Sequence, residues 1–243
     1  MKRRNGLRAS IAALAFLTCS AQATVPVPTL PPELTTLPSL SATVMERYAD
    51  ALAQLRRPRA MIFEYSVEQS GLHNLEETHR IYRSGLRERD ETLVADGLPL
   101  KVPSVRVVAN SAYRYDVLAL APKPADYAFT YAGKRTVLGR AAYAFRTNPV
   151  SLASFAVSDV LIDAERYLPL VIAFASAAHG IKGKGRIEFM ASGPYWVALE
   201  ASVSARSTSK DARERIRWSK YRFPSSLPKS TFAQPRPVTS PTP

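Results

Sequence analysis

The chain has 243 residues, with 33 Lys and Arg against 20 Asp and Glu, a formal net charge of +13 and a single cysteine, Cys19. A lone cysteine excludes an internal disulfide and a thiolate metal site. The fold must therefore be held by buried apolar surface, for which a chain of this size suffices in one domain. The basic balance suits anionic head groups, cell-wall polymers or acidic partners, but the arginines are scattered without a basic block, and nucleic acid is not an expected partner.

The first 23 residues read as a targeting segment. Lys2, Arg3, Arg4 and Arg8 form a basic start, Ile11 to Leu17 an apolar run, and Ala21-Gln22-Ala23 a small-x-small cleavage pattern. The apolar run is too short to anchor a chain permanently in a bilayer. A mature protein beginning near Thr24 and working in the periplasm is expected, which removes ATP-dependent, NAD-dependent and transcriptional roles. A lipidated Cys19 is the competing reading, but Phe16-Leu17-Thr18 sets the leucine one place too close and a threonine where Gly or Ala is usual.

Residues 24–41 are proline-rich and read as a linker, and 229–243, with Pro235, Pro237, Pro241 and Pro243, as a disordered tail. Between them, 42–228 reads as one domain. Thr43 to Arg57 has helical spacing, with Met45, Tyr48, Leu52 and Leu55 on one face, a capping box at Thr43-x-x-Glu46 and a stop at Pro58.

Beyond Pro58 the period becomes two. Met61, Phe63, Tyr65 and Val67 alternate with polar residues. The charged stretch Glu76 to Glu91 predicts exposed strands joined near Ser84-Gly85, and Asp96-Gly97 marks a turn. Ser111 to Leu120 fits a short helix capped by Asn110 or Ser111. Strands resume at Tyr127 to Tyr131, with turns at Ala132-Gly133 and Gly139, then at Ala141 to Arg146, Val157 to Asp163, Leu168 to Ala175, Gly185 to Met190, Trp196 to Arg206 and Arg213 to Phe223. Short strands at this spacing point to one meandering antiparallel sheet of roughly eight to eleven strands, curved or partly closed, with one wet face.

No HExxH, GxSxG or Walker loop is present. His73, His79 and His179 lack metal-ligand spacing, and the first two lie in charged surroundings that predict solvated rings. Two four-residue serine–lysine patterns, at 207–210 and 226–229, sit in turn-like stretches where a lysine stays protonated and so cannot activate the serine. Asp159 and Asp163 are an available acidic pair, yet Asp163 is better explained by the turn it opens, since an Asp side chain can bond the following amides. No enzyme, metal or cofactor is expected.

Two features remain. Aromatic residues on alternating positions, Phe63, Tyr65, Phe129, Tyr131, Tyr143, Phe145, Phe174, Phe189 and Trp196, form either an ordinary core or a concave apolar face that holds a ligand under the helix. Lys182-Gly-Lys-Gly-Arg186 reads as a basic hairpin tip, and Lys182, Lys184 and Arg186 are candidates for contact with lipid phosphate or polymer.

From Tyr131 to Phe174 the chain resembles the periplasmic lipoprotein-carrier superfamily, LolA-like and RseB-like. The resemblance rests on Tyr131-Ala-Gly-Lys, then Val137-Leu-Gly-Arg-Ala-Ala-Tyr-Ala-Phe145, then Val160-Leu-Ile-Asp-Ala-Glu-Arg-Tyr-Leu-Pro-Leu170. It implies an unclosed β half-barrel covered by helices and a binding role without chemistry. Tyr195-Trp196 and the strand Arg213 to Phe223 match no carrier motif, and no ligand-contacting arginine is carried over. The resulting expectation is an exported α+β protein of the bacterial envelope, a monomer that holds a hydrophobic ligand or an acylated lipoprotein, with peripheral membrane contact left open. The alternative is a protein-binding envelope sensor with a solid core, and an envelope hydrolase ranks below both.

Overall fold

The structure is a computed structural model that describes residues 39–71, 74–112, 115–178, 181–206 and 211–234. The targeting segment, most of the proline-rich linker, the end of the tail, His73, His179 and the serine–lysine pattern at 207–210 lie outside the described residues.

The chain is α+β. Helix α1 (Leu40–Gln54) begins three residues before the expected start, because the Ser39 hydroxyl accepts a hydrogen bond from the Ala42 amide at 3.3 Å. Ser39 is thus the N-cap, and Thr43 lies inside the helix. The helix ends at Gln54, before Pro58 could stop it. Val44 and Tyr48 are buried, and Met45, Leu52 and Leu55 pack beside them, so the apolar stripe is a packing face.

Eleven strands form one curved antiparallel sheet that does not close. They are β1 (Ala60–Ser70), β2 (Leu75–Ser84), β3 (Arg87–Ala95), β4 (Leu98–Val108), β5 (Tyr127–Val137), β6 (Arg140–Pro149), β7 (Phe155–Asp163), β8 (Pro169–Ala178), β9 (Ile181–Ser192), β10 (Tyr195–Arg206) and β11 (Asp211–Arg222). Their order is β4-β3-β2-β1-β11-β10-β9-β8-β7-β6-β5. Two meanders, β1–β4 and β5–β11, are therefore stitched together by β1 against β11.

Directly opposed residues in an antiparallel ladder share a face, so the register sorts the side chains. Val67, Ile216, Ala201, Ile187, Ile172, Val160, Phe145 and Tyr131 are successive partners across eight strands. This inner face carries the core, and α1 lies on it near β5: the Tyr48 ring meets Phe129 edge-on at 6.0 Å, and its hydroxyl donates to the Pro122 carbonyl at 2.8 Å. The connection from β4 to β5 joins the two edges of the sheet, and its described residues 115–126 lie against the same face. It carries the short helix α2 (Val117–Leu120), which packs against β10, and Tyr115, whose ring lies 5.0 Å from Trp218.

Four local features differ from the sequence expectations. Gly133 (φ 97°) makes a bulge inside β5 where a turn is expected, whereas the turn expected at Gly139 is present, at Leu138-Gly139. The short helix starts after Asp116, several residues beyond Asn110 and Ser111. Lys182 to Arg186 is no hairpin tip but part of β9, paired on both sides. Lys229–Phe232, inside the stretch read as tail, forms a 3-10 turn whose Thr231 carbonyl accepts from Arg89 at 3.3 Å.

Candidate functional site

The alternation that buries one face of β8–β11 sends the other side chains outward. Two outer rows run side by side across β1, β11, β10, β9 and β8. One joins Glu68, Arg215, Ser202, Arg186 and Ala173; the other joins Ser70, Arg213, Ser204, Lys184 and Ala175. Small residues in the middle and long ones beside them leave a trough of about 680 Å³ on the face opposite the helices. Ser158, Ala173, Gly185, Ser202 and Ser204 line it between the chains of Lys184, Arg186, Arg213 and Arg215.

The charges around the trough are not equally free. Arg215 is held by Glu200 at 2.8 Å, Arg186 by Glu188 at 2.7 Å, and Arg217 by Glu68 at 2.6 Å. Lys184 and Arg213 are exposed and form no salt bridge among the described residues. Both are direct cross-strand partners of Ser204, one on each side. Two cations astride a hydroxyl are a natural seat for an anion.

Lys182, Lys184 and Arg186, the basic candidates from the sequence, all point outward from β9, and the last two line the trough. The two intervening glycines face inward. A Cβ on Gly185 would come within 2.4 Å of the Phe174 ring, so this strand needs glycine to let Phe174 lie flat on the sheet.

The aromatic candidates are brought together around one apolar cluster. Phe145, Phe174, Phe189 and Trp196 are buried, and Phe63, Tyr65, Phe129, Tyr131 and Tyr143 pack against them. Phe129 and Tyr131 sit 6.1 and 5.4 Å from the Phe145 ring, and Trp196 Nε1 donates to the Pro169 carbonyl at 2.7 Å. Phe174 is the one member of the set that also lines the trough.

A second constellation went unseen in the sequence. His79 is 8 % exposed, not solvated. It lies on the inner face of β2, stacked under Tyr65 at 4.7 Å, with Nδ1 2.8 Å from Asp90 and Nε2 3.1 Å from Glu77. Asp90 also accepts from Arg106 at 3.0 Å. Nearby, Arg83 is buried against Glu88 and donates to Ser111 Oγ at 2.6 Å. Strand parity was the missed signal: His79, Asp90 and Glu77 lie on the face that Phe63 and Tyr65 occupy. Among the described residues no group of three His, Cys, Asp or Glu is arranged to hold a metal ion. This network ties the β1–β4 wing together.

Burial alone would lower the His79 pKa, but the bonds and charges of Asp90 and then Glu77 outweigh it and raise the value. Burial would raise the Asp90 carboxyl, but His79 and Arg106 hold it below its ordinary range. A raised histidine pKa means the imidazolium's contribution is complete below the unfolded value, about 6.5, and is lost as pH rises through the folded one. The stability gap between the wild type and His79→Gln should therefore be about 1–3 kcal/mol near pH 6. It should narrow steadily toward pH 9 in urea melts. A gap independent of pH over that range would contradict a charged His79.

No protein-family model matches the chain, and no curated protein matches it. Solved structures similar to it include a putative outer-membrane lipoprotein-sorting domain from Vibrio parahaemolyticus, 13% identical, TM-score 0.41, covering 77% of this chain and 95% of that one. Another is a LolA-superfamily protein from Nitrosomonas europaea, 9% identical, TM-score 0.40, covering 78% and 97%. A third is a DUF1329-family protein from Desulfovibrio piger, 13% identical, TM-score 0.41, covering 79% and 96%. Among the described residues no helix is long and apolar enough to cross a membrane.

Proposed function

We propose that this is a noncatalytic binding protein of the bacterial envelope whose ligand is an anionic amphiphile, such as a lipid-modified segment or a lysolipid, lying in the outer trough. The observation that carries this reading is the pair Lys184 and Arg213 astride Ser204, neither in a salt bridge among the described residues, at the rim of a trough of about 680 Å³. That volume is within the range of small-molecule sites, about 300–1,000 Å³. The ligand's charged end meets Lys184 and Arg213, and its chain runs along Ala173 and the aliphatic stems of the long basic side chains, which are themselves apolar. The aromatic residues act beneath it by keeping the sheet rigid. Release of residues 1–23 during export would deliver the protein to the periplasm, where such ligands occur.

The test is native mass spectrometry with lyso-phosphatidylglycerol and, as the zwitterionic control, lyso-phosphatidylcholine. The expected result is a one-to-one adduct with the anionic lipid that weakens at least tenfold in the Lys184→Glu, Arg213→Glu double variant. Both sites are exposed, so the variant should melt like the wild type. Absence of the adduct, or an adduct indifferent to the charge reversal, would refute the trough as the site.

A further inference from the structure

Large apolar side chains are exposed at several places on this protein. The four most exposed large ones among the described residues are Leu152, Val102, Val150 and Leu98, at 105%, 79%, 72% and 70%. Leu98 and Val102 lie on the edge strand β4, at the opposite margin of the sheet from Val150 and Leu152, which lie between β6 and β7. Single exposed leucines are ordinary, but two of these share one loop with lysines beside it. Val150 and Leu152 are in the turn between β6 and β7. The Ala177 amide donates to the Ser154 carbonyl at 2.8 Å, so this turn runs alongside the end of β8. Ile181, which pairs with Ala178 where β9 begins beside β8, is also exposed.

Directly behind Ile181 come Lys182 and Lys184, exposed on the outer face and without salt bridges among the described residues. The nearest carboxylate on the following hairpin, Asp211, is taken up by Arg206 at 2.9 Å. Aliphatic tips backed by free ammonium groups match the layered chemistry of a membrane surface, where acyl chains lie just beneath anionic phosphates. We infer that this end of the protein docks on an anionic lipid bilayer, with Val150, Leu152 and Ile181 entering the interface and Lys182 and Lys184 meeting the head groups.

Cosedimentation of the full protein with phosphatidylethanolamine–phosphatidylglycerol vesicles, against phosphatidylcholine vesicles, tests this. The wild type should pellet with the anionic vesicles. The Val150→Ser, Leu152→Ser double variant should partition at least tenfold less while keeping its melting curve, and Lys182→Glu should remove the preference for phosphatidylglycerol. A wild type that stays in the supernatant at low salt would overturn the inference. So would a double-serine variant that pellets as well as the wild type, because attraction would then be electrostatic alone. The serine substitutions lie outside the trough, so lyso-phosphatidylglycerol binding should survive them, which separates failure of docking from failure of the ligand site.

Discussion

Asp163→Ala should cost about 3 kcal/mol, because it removes several hydrogen bonds to a charged group, each worth about 1.5–3 kcal/mol. Asp163 is 1 % exposed and closes β7 with four hydrogen bonds. It accepts from Arg140 Nε at 2.5 Å and Nη2 at 3.2 Å, and from the amides of Glu165 at 3.0 Å and Arg166 at 2.6 Å. Alanine would leave Arg140 only the exposed Glu165, at 2.8 Å, and two amides of a tight turn without their acceptor. Asp163→Asn keeps an oxygen for the amides but loses the charge, so its cost should be smaller, about 1–3 kcal/mol. Burial alone would raise this carboxyl, but Arg140 and the two amides outweigh it and hold it below the usual carboxylate range. A depressed pKa contributes stability that is complete above the unfolded value, about 3.9, and is lost as pH falls through the folded one. Urea melts of both variants should therefore show the gap to wild type closing only in acid. An alanine variant within about 1 kcal/mol of wild type at pH 7 would show that the turn does not depend on this side chain.

Asp163 also shows what could be read without coordinates. An aspartate followed by three residues and then Tyr167-Leu168-Pro169 carries its own turn, because the interaction is local in sequence, and the hairpin from β7 to β8 was legible for that reason. The same holds for the alternating strands and for the turn at Gly85. What escaped was contact across distant strands. Ser39 caps α1 through an oxygen that the proline-rich stretch disguised, and Gly133 makes a bulge because its neighbours on β6 continue the ladder past it. His79 looked solvated because charges surround it in sequence. Those charges, Glu77 and Asp90, are the groups that bury it. Lys182-Gly-Lys-Gly-Arg186 looked like a loop because two glycines usually mean one, whereas here they clear space for Ser176 and Phe174 on the neighbouring strand. The trough is a property of the β1–β11 seam, which joins residues nearly 150 apart, and no local pattern signals it. The aromatic set was legible as a group, but whether it encloses a ligand or fills itself depends on side-chain packing.

Phe145→Ala addresses that packing directly and should destabilise the protein by about 3–5 kcal/mol, as expected for a large aromatic removed from a full interior. Phe145 is 1 % exposed, sits between Tyr131 and Val160 in the row that spans the sheet, and meets Phe129 edge-on at 6.1 Å. Phe129 in turn touches Tyr48 of α1, so one truncation loosens both the sheet and the helix that covers it. Phe145→Leu, which keeps most of the volume, should recover much of the loss. If these aromatic residues instead enclosed a ligand, the alanine variant would lose affinity or change ligand size preference while unfolding at nearly the wild-type urea concentration. The two measurements together decide between them. Loss of stability with lyso-phosphatidylglycerol binding retained in the folded fraction places the ligand outside the aromatic core. Loss of binding with stability retained places it inside. In the first case the aromatic side chains act on function only through the flatness of β8 to β11, whose outer face then carries the basic trough as a rigid surface.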